Sequence, residues 1–136
     1  MEQTLQDMKI LVIDDSNTIR RTAESLLNKL GCKVITAEDG YDALSKVVAS
    51  KPDIIFMDVM MPKLNGYETC SIIRSNEEFN DIPVVMLSSK SSFCDKAKGV
   101  VVGANSYLTK PFSKDEILEQ IKINMNTVKD ESAPLH

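Results

Sequence analysis

Five short apolar runs, each stopping abruptly at polar residues, constrain this chain more than anything else in it. They are Ile10-Leu11-Val12-Ile13, Val34-Ile35, Ile54-Ile55-Phe56-Met57, Val84-Val85-Met86-Leu87 and a run within residues 105–109. A run of four apolar residues without alternation does not suit a sheet with one wet face; it belongs to a strand covered on both sides. Between the runs, apolar residues recur at helical spacing. Ile19, Ala23, Leu26, Leu27 and Leu30 form one such face, and Ala43, Leu44, Val47 and Val48 a second. Tyr67, Cys70 and Ile73 form a third, Phe93, Ala97, Val100, Val101 and Ala104 a fourth, and Ile117, Leu118, Ile121 and Met125 a fifth. Gly31 stands where a helix-ending glycine should, and Gly99 and Gly103 weaken the fourth helix by up to ~1 kcal/mol each relative to alanine.

Strand and helix alternating five times predict an α/β fold, a doubly wound (βα)5 parallel sheet. Right-handed crossovers prune the topologies. Among those that remain we expect the flavodoxin-like strand order 2-1-3-4-5, carried over from that fold because spacing alone does not select it. Strands 1 and 3 are then neighbours, and Asp14, Asp15 and Asp58 converge at their carboxyl ends, where open sheets of this kind place their chemistry.

Three carboxylates in one crevice raise one another's pKa unless a cation sits among them. Mg²⁺ suits such a place, being hard, oxygen-seeking and content with one or two carboxylates plus water and phosphate. Asp15 and Asp58 are expected as direct ligands, Asp14 through a bound water, and the backbone carbonyl of Met60 as a further ligand. Strands 4 and 5 would bring Ser88 and Lys110 to the same edge, a hydroxyl and an ammonium suited to a phosphoryl group carried by Asp58. Taken singly, each residue has a plainer reading: Asp14 and Asp15 as helix caps, Ser88 as a turn serine, Lys110 as a solvated lysine. Taken together, they are much harder to obtain by chance.

Composition excludes much else. At 136 residues the chain is expected to be one domain, residues 9–126, with a flexible start over 1–8 and a disordered tail over 127–136. Lys plus Arg is 16 and Asp plus Glu is 20, a net charge of −4, which argues against a nucleic-acid surface. No apolar stretch of about 18 residues and no signal-peptide pattern is present, so a cytoplasmic protein with no membrane insertion is expected. Cys32, Cys70 and Cys94 are odd in number and widely spaced, fitting core residues in a reducing compartment. The single histidine, His136, rules out a Ser-His-Asp triad or an H-E-x-x-H metal site, and no phosphate-binding glycine loop is present.

The chain resembles the response-regulator receiver domains of two-component signalling over roughly residues 8–126. The resemblance is carried by I-D-D-S at 13–16, D-V-M-M-P at 58–62 with Gly66 after it, L-S-S at 87–89 and Y-L-T-K-P-F at 107–112. It implies that Asp58 accepts a phosphoryl group from a histidine kinase, that Asp14 and Asp15 hold Mg²⁺, that Ser88 is a switch hydroxyl and that Lys110 senses the phosphate. It also implies a cis Lys110–Pro111 bond and an inward turn of Tyr107 on activation. Many relatives carry threonine where Ser88 stands; serine keeps the donor and loses a methyl group. D-D-S-N-T-I-R-R, G-Y-E-T-C and D-K-A-K-G are similar to single-domain regulators of chemosensory systems for type IV pili and twitching motility. The implied partners are a chemosensory histidine kinase and downstream motility or pilus proteins, met through the fourth helix, fifth strand and fifth helix of a monomer.

Two other readings compete. A small phosphatase of the haloacid-dehalogenase type also uses Asp and Mg²⁺ on an α/β sheet, but places its acids as D-x-D, whereas Asp14 and Asp15 are adjacent and a substrate pocket is hard to find in so short a chain. An unphosphorylated receiver-fold scaffold would have no use for Asp14, Asp15, Asp58, Ser88 and Lys110 together. No enzymatic turnover is therefore expected beyond the domain's own phosphorylation and dephosphorylation. No further domain is expected after residue 126, so output should be a protein–protein contact. Met60 and Lys90, two residues beyond Asp58 and Ser88, are expected to flank the path of the water that removes the phosphate.

Overall fold

The computed structural model describes residues 5–89, 97–98 and 100–132, with side chains described as far as 125. Five parallel strands form one sheet in the order β2-β1-β3-β4-β5. They are β1 (Lys9–Ile13), β2 (Lys33–Ala37), β3 (Ile54–Asp58), β4 (Val84–Ser88) and β5 (Ser106–Thr109). The α/β fold and strand order are those expected. β1 pairs with β2 on one side and β3 on the other, Ile13 standing opposite both Ala37 and Met57. The ladder continues with Asp58 opposite Leu87 and Ser88 opposite Thr109.

β3 and β4 are buried along their whole length because helices cover both faces. On one face, Ala43 and Val47 of α2 (Gly40–Ser50) and Cys70 and Ile73 of α3 (Gly66–Arg74) pack against Leu11, Ile13, Ile55, Met57 and Met86. On the other, Ala23 and Leu27 of α1 (Asn17–Lys29) and Ile117 and Ile121 of the C-terminal helix (Lys114–Ser132) pack against Ile10, Val12, Phe56 and Leu87. Each fully buried side chain of this kind stabilises by roughly 1.5–3 kcal/mol relative to exposure.

Local signals set the helix ends. Ser16 caps α1 by accepting from the Ile19 N–H, and Gly31, at φ +89°, ends it. Asn65 and Glu68 form a reciprocal capping box at the start of α3, and Ser113 and Glu116 bond in the same way at the C-terminal helix.

Four expectations need correction. Residues 5–8 are not loose: Leu5 and Met8 are buried in the α1-side core, and the Asp7 N–H donates to the Gly31 carbonyl at 2.9 Å. The C-terminal helix runs to Ser132, past residue 126, although its apolar spacing stops at Met125; residues 133–136 lie outside the described residues. Val48 is exposed, because the buried stripe of α2 follows Ala43 and Val47. Val100 and Val101 are 73 % and 83 % exposed, while Val102 and Ala104 pack toward the core. Helical residues are described at 97–98 and 100–101 in the β4–β5 connection; Lys90, Phe93 and Cys94 lie outside the described residues.

Candidate functional site

The carboxyl edge of the sheet gathers the predicted residues. Asp14 follows β1, Asp58 ends β3, Ser88 ends β4 and Lys110 follows β5. Oxygens of Asp14, Asp15 and Asp58 all lie within 4.8 Å of one another. Lys110 reaches in from the far side: its Nζ donates to Asp14 Oδ2 at 3.0 Å and to Asp58 Oδ1 at 3.2 Å. The Lys110–Pro111 peptide bond is cis, and the Lys110 N–H donates to the Ser88 carbonyl at 2.7 Å, continuing the ladder one step past the strands.

The three acids have different surroundings. Asp14 is fully buried, and its Oδ1 accepts from the Ser16 N–H at 2.9 Å, at the start of α1. Asp58 is 4 % exposed and its Oδ1 also accepts from the Met60 N–H at 3.3 Å. Asp15 is exposed and has no hydrogen-bond or salt-bridge partner among the described residues. Ser88 is buried beside them at 5 % exposure.

Burial and the Asp14 charge push the Asp58 carboxyl up to about 6, against the opposing pull of Lys110. For Lys110, burial acts to lower the pKa, but the hydrogen bonds and charges of Asp14 and Asp58 outweigh it and hold the ammonium above its usual range. One ammonium thus leaves the cluster short of positive charge. A small oxygen-seeking divalent ion fits this donor set: three carboxylates, one of them exposed and without a described partner.

The loop after β3 is shaped to keep Asp58 at the mouth. Lys63 turns the chain at φ +71°, and the Gly66 N–H returns to the Val59 carbonyl at 2.9 Å. A Cβ on Gly66 would lie 2.3 Å from the Asp58 carbonyl oxygen, so only glycine lets α3 start this close to the strand end. The side chain of Met60 points to solvent at 74 % exposure. Tyr107, on β5 opposite Met86, is half-buried against the α2–α3 side of the core.

Sequence reasoning missed two arginines. Arg20 Nη1 donates to the Asp14 backbone carbonyl at 2.6 Å, and its Nη2 donates to Asn17 Oδ1. Arg74 donates to the Gly103 carbonyl and to Asn105 Oδ1, each at 2.8 Å, and Asn105 Oδ1 also accepts from the Val84 N–H. Both arginines bond main-chain carbonyls, which leaves no residue-type pattern to read. For Arg20, its place on the first turns of the helix that directly follows the acid pair was the available signal.

The chain belongs to the response regulator receiver domain family, whose pattern it matches over residues 10–122. It is 58% identical over 125 residues to Protein PilG of Pseudomonas aeruginosa, covering 92% of this chain and 93% of that one. It is 42% identical over 118 residues to the probable transcriptional regulator ycf27 of Porphyridium aerugineum, covering 87% of this chain but only 48% of the relative. Among solved structures, the chemotaxis response regulator CheY4 of Vibrio cholerae superimposes with a TM-score of 0.83 at 34% identity, covering 88% of this chain and 99% of that one. A response regulator from Chloroflexus aurantiacus gives 0.85 at 30% identity, with 89% and 99% covered. The chain is thus a response-regulator receiver of the chemotaxis type. No helix among the described residues is long and apolar enough to cross a membrane.

Proposed function

We propose that this protein is a phospho-acceptor switch in which Asp58 takes a phosphoryl group from the phosphohistidine of a chemosensory histidine kinase. The carrying observation is the joint hold of Lys110 on Asp14 and Asp58, which leaves Asp58 Oδ2 without a hydrogen bond from the described residues. That oxygen is the nucleophile: an Oδ2–P bond forms as the N–P bond of the donor breaks. Lys110 and the Ser88 hydroxyl then face the equatorial oxygens of the transferred group and stabilise charge there. Asp15 and Asp58 would hold Mg²⁺ directly, with Asp14 acting through water and the Met60 carbonyl as a further ligand. Bound there, Mg²⁺ supplies charge neutralisation for the incoming phosphoryl oxygens.

No substrate is turned over; the domain catalyses only its own phosphorylation and the later loss of phosphate. Output is a change in protein–protein contact. Phosphate on Asp58 favours the state in which Ser88 moves toward it and Tyr107 fills the vacated space, altering the face formed by the β4–β5 connection, β5 and the C-terminal helix. The D-D-S-N-T-I-R-R, G-Y-E-T-C and D-K-A-K-G stretches and the identity to Protein PilG support a place in type IV pilus and twitching-motility signalling, with motility or pilus proteins as partners of a cytoplasmic monomer.

The test is incubation with acetyl phosphate and Mg²⁺, read by intact mass. One phosphoryl group is expected on the wild type, and none on Asp58→Asn or in chelator. Labelling that survives either change would defeat the reading.

A further inference from the structure

Asp14 and Asp15 sit side by side but are held very differently. Every polar group of Asp14 is engaged: its N–H donates to the Ala37 carbonyl at 3.2 Å, Oδ1 accepts from Ser16, Oδ2 from Lys110, and its carbonyl accepts from Arg20 Nη1 at 2.6 Å. Asp15 has no polar partner of its own among the described residues, yet its carboxylate lies within 4.8 Å of the other two. Something other than its side chain must set where it stands.

The Asp14 carbonyl and the Asp15 N–H belong to one planar peptide unit. A donor that fixes that carbonyl fixes the plane, and with it the direction in which the Asp15 side chain leaves the backbone. Arg20 is that donor, and its aim is fixed in turn by Asn17, which accepts from Nη2. A guanidinium braced at both terminal nitrogens holds a direction that a single flexible ammonium does not.

We propose that Arg20 is a positioning residue for the acidic centre: through the Asp14–Asp15 peptide it pre-aims Asp15 for a divalent cation. This rests on the reading of Asp14, Asp15 and Asp58 as a Mg²⁺ site. The alternative role for Arg20, a nearby positive charge, predicts the opposite sign. As a mere charge it would repel Mg²⁺, and its removal would tighten binding; as a positioning group its removal loosens binding. Residues that orient metal ligands typically contribute about 10- to 100-fold in affinity.

The experiment is calorimetric titration of the full chain with MgCl₂, comparing wild type, Arg20→Gln, Arg20→Lys and Asn17→Ala, with thermal melts in chelator to follow folding. Arg20→Gln should raise the Mg²⁺ Kd by about 10-fold, Arg20→Lys should recover part of the loss, and Asn17→Ala should raise Kd by a smaller factor. At saturating Mg²⁺ the rate of labelling by acetyl phosphate should return to within about 2-fold of wild type, a split between ion affinity and chemistry that general loss of structure would not produce. An unchanged or lower Kd in Arg20→Gln would overturn the proposal. If Arg20→Gln does not fold, Asn17→Ala decides: a raised Kd supports the proposal and an unchanged one overturns it. A wild type that does not bind Mg²⁺ is a separate result, and removes the metal-site reading itself.

Discussion

At Asp58 a single carboxylate answers two opposing demands. As the proposed phospho-acceptor it would have to be ionised to attack phosphorus, yet burial and Asp14 make the charge costly. Their combined effect raises its pKa from 3.8 to about 6. The folded protein therefore keeps a proton that the unfolded chain releases, and stability drains away as pH rises from about 4 to about 6. In chelator at pH 7, Asp58→Asn should stabilise the fold by on the order of 1–3 kcal/mol, with the difference vanishing below about pH 4. Urea melts of both proteins at pH 4 and 7 measure this; an equal gain at both would exclude ionisation as its source. Two residues on, the exposed Met60 side chain would offer no hydrogen bond to a water attacking a phosphoryl group on Asp58. Met60→Asn should speed loss of phosphate from purified phosphoprotein by ~10-fold, equivalent to about 1.4 kcal/mol in the barrier. Equal or slower decay would show that Met60 does not gate the water.

Among the described glycines, Gly66 at the junction of β3 and α3 has the least room. Gly66→Ala places a Cβ against the Asp58 carbonyl oxygen and the Val59 backbone, neither of which can rotate away. A loss of roughly 2–4 kcal/mol is expected in urea melts, together with slower labelling of Asp58, because relief of the clash moves the strand end. Wild-type stability in that variant would mean that α3 can start elsewhere.

The buried strands were legible in the sequence because unbroken apolar runs leave a chain few choices; the strand order, and with it the gathering of the acids, was carried over from the flavodoxin-like fold. The failures have separate causes. Val48, Val100 and Val101 fit the helical period, yet the helix faces turn them out. Leu5 and Met8 flank polar residues, so no period marks them as core. The C-terminal helix continues past Met125 with no apolar spacing to announce it. Arg20 and Arg74 act on backbone carbonyls, whose positions exist only once the chain has folded. The cis bond at Lys110–Pro111 came from family resemblance, not from a physical reading of the residues.

For the molecule as a whole, ion binding and folding are linked. Mg²⁺ bound only by the folded state adds RT ln(1 + [Mg²⁺]/Kd), about 2.7 kcal/mol at 100 times Kd. The wild type should therefore melt higher as MgCl₂ is raised, and Asp15→Asn, which lacks the exposed ligand, should lose most of that gain while melting normally in chelator. A full Mg²⁺ response in Asp15→Asn would place the ion elsewhere.

The ammonium of Lys110, lodged between Asp14 and Asp58, also decides what kind of message can leave the crevice. Among themselves, the three acids when ionised and Lys110 when charged leave an excess of two negative charges, which one divalent ion would cancel. A Mg²⁺-loaded cluster would thus be close to neutral, with the Arg20 guanidinium beside it. A phosphoryl group, which brings its oxygens to about two negative charges in place of the single one on Asp58, alters the total by only about one unit, and salt water damps that beyond about 8 Å. A partner some distance away would sense little of it as a field. In the proposed switch the message would travel as displaced side-chain volume, from Ser88 through the packed end of β4 to Tyr107, and the phosphate dependence of partner binding should be nearly indifferent to ionic strength even where the binding itself is not.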